Sequence, residues 1–127
     1  MSPSDPRHCV LVVDDDLAIR ESLVQLLGTT GLDAYGVEHG QAAFRLLRDG
    51  YPACAVLLDL DMPVMNGWTF MDVHREDPRL ASIPVFVLSG IPDPEREARR
   101  IGATAGLQKP LSLSTLLRLV STTCARH

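Results

Sequence analysis

Short apolar runs alternate along the chain with longer stretches in which apolar residues recur every three or four positions. Five runs read as strands: Cys9–Val13, Ala34–Val37, Ala53–Leu58, Val85–Leu88 and a weaker Gly106–Gln108. All five are read as buried, and the first, third and fourth are almost wholly apolar, as strands covered on both faces of a parallel sheet are. Between them, Ile19, Leu23, Leu26 and Leu27 fall on one helical face. Ala42, Ala43, Leu46 and Leu47 form a narrow second stripe that Gly50 closes. A third helix is predicted from about Gly67 to about Glu76, ending ahead of Asp77-Pro78. Pro94–Ile101 reads as a short, highly charged helix with a weak apolar face. The last helix carries Leu113, Leu116, Leu117 and Val120, with Ser112 or Ser114 placed to cap it and Ser121–His127 as its frayed end. The alternation predicts an α/β fold of (βα)5 type, a doubly wound parallel five-stranded sheet.

At 127 residues the chain suits one domain, read as a short polar tail over 1–8 and a single unit over 9–127. A net charge of −4 argues against direct contact with nucleic acid, and the local cluster Arg96, Arg99 and Arg100 is diluted by Glu95 and Glu97. The Pro-rich start lacks the form of a signal peptide, and no apolar run approaches membrane-spanning length, so a cytoplasmic location is expected. The three cysteines, Cys9, Cys54 and Cys124, show no CxxC spacing and are expected to be free thiols in a reducing compartment. The four histidines lie far apart, without metal-ligand spacing.

In open α/β sheets ligands sit beyond the carboxyl ends of the strands. There the predicted strands carry Asp14-Asp15, Asp59, Ser89 and Lys109. Carboxylates crowded together resist ionising, and a divalent cation relieves the conflict. An all-oxygen set with few protein ligands suits Mg²⁺. Lys109 adds a second positive charge, Ser89 a hydroxyl donor, and Asp59 a carboxylate able to attack phosphorus.

The segments VLVVDDD (Val10–Asp16), LLDLDMPVMNG (Leu57–Gly67), PVFVLSG (Pro84–Gly90) and GATAGLQKP (Gly102–Pro110) resemble response-regulator receiver domains of two-component signalling from about Val10 to Val120. The resemblance implies a flavodoxin-like strand order 2-1-3-4-5 and a phosphoryl group accepted on Asp59. The donor would be a sensor histidine kinase or a histidine phosphotransfer protein, and an unidentified downstream protein would receive the signal. It implies Mg²⁺ held by Asp14, Asp15, Asp59 and the backbone carbonyl of Asp61, with Ser89 as the switch hydroxyl and Lys109 as the phosphate-facing lysine. It also implies a cis peptide at Lys109–Pro110, and a signalling role without turnover of a separate substrate.

Two features depart from the family pattern. Gly106 occupies the position of the aromatic switch residue, and no aromatic follows Phe86. No effector domain is expected after Val120. Coupling is therefore expected through the loop Ser89–Pro94 and the helix behind it. Ile91, apolar and two residues past Ser89, is expected to slow self-dephosphorylation. The Asp59-Leu60-Asp61 segment also resembles the DxD of haloacid-dehalogenase-type phosphatases, but that family places it near the N-terminus, and Pro63 stands where it wants Thr or Val. A pseudo-receiver that only binds partners would lack the acceptor, the acidic pair or the lysine, all present here.

Overall fold

The apolar runs form one parallel sheet, with β1 (Cys9–Val13), β2 (Asp33–Val37), β3 (Ala55–Asp59), β4 (Val85–Ser89) and β5 (Ala105–Gln108) in the order β2-β1-β3-β4-β5. This is a computed structural model, and it describes residues 9–60, 71, 74–90 and 92–125. The helices are α1 (Leu17–Gly28), α2 (Gly40–Arg48), the single turn α3 (Pro78–Ala81), α4 (Pro94–Ile101) and α5 (Leu113–Ala125). Of the helix predicted near Gly67–Glu76, Met71 and His74–Glu76 are helical, and the remainder lies outside the described residues.

Period-two alternation divides the strands between two cores. Leu11, Val13, Val56, Leu58, Val85 and Val87 pack with Ala43 and Leu47 of α2 and Ala98 and Ile101 of α4. Val10, Val12, Ala55, Leu57, Phe86 and Leu88 pack with Leu23 and Leu27 of α1 and Leu116 and Val120 of α5. The central strands β1, β3 and β4 are buried at every position.

Several expectations change. β2 is not a buried strand: it lies at the sheet edge with Asp33 and Tyr35 exposed, because it pairs with β1 alone. β3 starts at Ala55 rather than Ala53, since the Ala53 N–H turns back onto the Tyr51 carbonyl (2.9 Å). It also runs one residue further, so that Asp59 is itself the last strand residue, as Ser89 is of β4. The residues after Val120 are not frayed at once, because α5 continues to Ala125. Cys54 is disulfide-bonded, against the expectation of free thiols, and Cys9 is buried. Spacing along the chain cannot reveal which thiols folding brings together.

Candidate functional site

Three consecutive aspartates follow β1 and go to three different places. Asp16 caps α1, its Oδ1 accepting from the N–H groups of Ala18 (2.9 Å) and Ile19 (3.2 Å). Asp15 is exposed, and Asp14 is buried at 1% exposure. The Asp14 N–H donates to the Val37 carbonyl (3.1 Å), and its Oδ1 accepts from the Asp16 N–H (2.9 Å). Its Oδ2 is buried and has no hydrogen-bond partner among the described residues.

The neighbouring strand ends bring the rest. Asp59 closes β3, buried at 3% exposure, and Ser89 closes β4, fully buried. The pairing of β4 with β5 extends one step beyond the strands, where the Lys109 N–H donates to the Ser89 carbonyl (2.9 Å). That bond sets Lys109 beside β4, and its Nζ lies 3.2 Å from Asp59 Oδ1. The Lys109–Pro110 peptide is cis. Asp14, Asp15 and Asp59 each offer a carboxylate oxygen, and these oxygens lie within 4.8 Å of one another. The predicted residues Asp14, Asp15, Asp59 and Lys109 thus meet at one edge, with Ser89 at the adjoining strand end. Asp61 and Ile91 lie outside the described residues.

Electrostatics set Asp14 apart. Burial pushes its carboxyl up to about 6; the Asp16 N–H opposes this, Asp59 raises it further, Lys109 lowers it and Asp15 raises it. A buried oxygen with no donor, in a cluster of hard oxygen ligands, fits a small divalent cation such as Mg²⁺. The three carboxylates could hold such an ion, and the Lys109 ammonium, 3.2 Å from Asp59 Oδ1, could neutralise a further anionic group there.

Gly106 was legible as a missing aromatic, but its physical role was not. A Cβ there would collide with the Pro94 carbonyl and lie 2.9 Å from the Glu95 nitrogen. The start of α4 therefore rests directly on β5, and the Gly106 N–H donates to Glu95 Oε1 (3.2 Å). A glycine inside a strand is a signal for such close backbone approach.

Comparison with known proteins agrees with this geometry. The family model described as "Response regulator receiver domain" matches residues 10–121. The chain is 38% identical over 106 residues to protein-glutamate methylesterase/protein-glutamine glutaminase 1 of Anaeromyxobacter dehalogenans, covering 80% of this chain and 29% of that protein. It is 31% identical to two-component response regulator ORR11 of Oryza sativa, covering 91% of this chain and 80% of that one. The chemotaxis response regulator CheY4 of Vibrio cholerae superposes with a TM-score of 0.81 at 28% identity, over 91% of this chain and 97% of CheY4. The chain spans between 24% and 29% of the length of several longer curated relatives. With the matched family model, the strand order and these relatives in agreement, the chain belongs to the response regulator receiver domains of two-component systems.

Proposed function

We propose that this receiver domain accepts a phosphoryl group on Asp59 from the phosphohistidine of a sensor histidine kinase or histidine phosphotransfer protein, in a Mg²⁺-dependent reaction. It then signals to a downstream protein by changing conformation. The observation that carries the reading is the buried Asp59 carboxylate, 3.2 Å from the Lys109 ammonium and beside two further carboxylates. Asp14, Asp15 and the Asp61 carbonyl would hold Mg²⁺ together with Asp59, and the bound ion would offset the negative charge of the incoming group. An Asp59 oxygen forms the new bond to phosphorus as the phosphorus–nitrogen bond breaks, and the imidazole leaves with that electron pair. Lys109 neutralises a phosphoryl oxygen, and the Ser89 hydroxyl donates to another. Because the catalytic work is positioning and charge neutralisation, no general base is required for this transfer.

An open apolar groove of about 430 Å³ runs beside Lys109, between Ala18, Ile19, Ser22 and Leu23 of α1 and Pro110-Leu111. Apolar surface at the rim of the acceptor site favours a protein donor over a small phosphate ester.

The test is incubation with acetyl phosphate followed by intact mass spectrometry. The expected result is one phosphoryl group per chain with Mg²⁺ and none with EDTA. Labelling that ignores EDTA, or sustained turnover of p-nitrophenyl phosphate, would overturn the reading.

A further inference from the structure

Arg20 lies in the first turns of α1 and contributes no atom to the carboxylate cluster. Its Nη1 nevertheless donates to the carbonyl oxygen of Asp14 at 2.8 Å. That bond completes a set. The Asp14 N–H is held by the Val37 carbonyl and its Oδ1 by the Asp16 N–H, so with Arg20 on the carbonyl only Oδ2 is left without a partner among the described residues. A guanidinium donor makes this a charge-assisted bond, and such bonds are about twice as strong as neutral ones.

The Arg20 stem reaches Asp14 by crossing the edge strand β2 at Gly36. A Cβ at Gly36 would lie 2.6 Å from Arg20 Cγ and 2.9 Å from Cδ. Gly36 is not among the glycines with positive φ, so its backbone is open to any residue. What glycine supplies there is space for the arginine.

We propose that Arg20, seated over Gly36, is a positioning residue that fixes the Asp14 main chain and so presents its carboxylate to the metal cluster, with Gly36 acting only through Arg20. The proposal rests on the reading of that cluster as a Mg²⁺ site. Arg20 touches neither the ion's proposed ligand atoms nor the phosphoryl group, so its effect belongs to metal affinity before any transfer occurs.

The test is a Mg²⁺ titration without phosphodonor, followed by amide NMR. The wild type is compared with Arg20→Ala, Arg20→Lys, Gly36→Ala and the double variant Arg20→Ala/Gly36→Ala, with metal-free urea unfolding of each alongside. Arg20→Ala is expected to weaken Mg²⁺ binding about tenfold, the usual cost of removing a group that orients a metal ligand. Arg20→Lys should recover part of this, because an ammonium can donate to the same carbonyl. Gly36→Ala should weaken binding with Arg20 still present, yet add nothing in the Arg20→Ala background. Unchanged Mg²⁺ affinity in Arg20→Ala, whatever its unfolding midpoint, would reduce Arg20 to a structural residue and overturn the proposal. Additive losses in the double variant would overturn the link through Gly36. A wild-type chain that binds no Mg²⁺ would overturn the metal reading itself and the proposal with it.

Discussion

Burial holds the Asp14 carboxyl at a pKa of about 6 instead of 3.8, so the folded metal-free protein keeps a proton that the unfolded chain releases. Between about pH 4 and 6 the native state binds more protons, and stability falls as pH rises through that window. Above it the penalty is complete. Asp14→Asn removes the ionisation, so the variant should exceed the metal-free wild type in stability by on the order of 2 kcal/mol at neutral pH. Urea unfolding of both proteins from pH 4 to 8 checks this: the gap should open from pH 4 to 6 and then level, and a gap independent of pH would contradict it. Asp15 and Lys109 separate two other roles. Asp15→Ala should weaken Mg²⁺ binding, since the ion has few protein ligands. Lys109→Ala removes a cation 3.2 Å from Asp59, so Mg²⁺ should bind as well or better while acetyl phosphate labelling slows roughly a hundredfold. Equal loss of metal affinity in both variants would contradict this division. Asp14, Asp15, Asp59 and Lys109 were legible because strand ends announce themselves where apolar runs stop. The division of labour within Asp14-Asp15-Asp16 was not, because burial and capping depend on where α1 begins.

The element with the weakest signal in the sequence, α4, is the one whose packing says most. Its charged sequence hid a complete stripe: Pro94, Ala98 and Ile101, at i, i+4 and i+7, are all buried. Asp93 caps the helix from a left-handed conformation (φ 56°), its side chain accepting from the Arg96 N–H, so the hinge before α4 stores on the order of 1 kcal/mol of backbone strain. Gly106 lets α4 settle onto β5, where an aromatic would otherwise need room. Gly106→Ala should therefore cost about 1–3 kcal/mol in urea unfolding, the range for overpacking a close contact. An unchanged midpoint would show that α4 moves aside freely. With no aromatic to rotate, the signal is expected to leave through Ser89 and the strained hinge, because a bound group shifts an equilibrium only by contacts that differ between two states. Beryllofluoride should shift amide resonances most at the acceptor loop and from Ser89 to Ile101, and little along β5 and α5. Dominant changes on β5 and α5 would contradict this route.

At the scale of the whole molecule, function follows from strand order. Placing β1 between β2 and β3, and β4 beside β3, collects residues from distant points of the chain at one edge. The (βα)5 alternation was legible in the hydrophobic pattern, because central strands must be apolar on both faces. The exposure of β2 was not, since a local pattern does not say which strand is last in the sheet. Nor was the disulfide at Cys54, which depends on tertiary approach alone. The same edge geometry makes Asp59 the buried carboxylate that meets both the acidic cluster and the lysine. The decisive measurement is therefore intact and peptide mass spectrometry of the wild type and Asp59→Asn after incubation with acetyl phosphate and Mg²⁺. The wild type should carry a single phosphoryl group that maps to Asp59, and Asp59→Asn should carry none. Undiminished labelling of Asp59→Asn, or a wild-type label mapping to another residue, would contradict the assignment of Asp59 as phosphoacceptor.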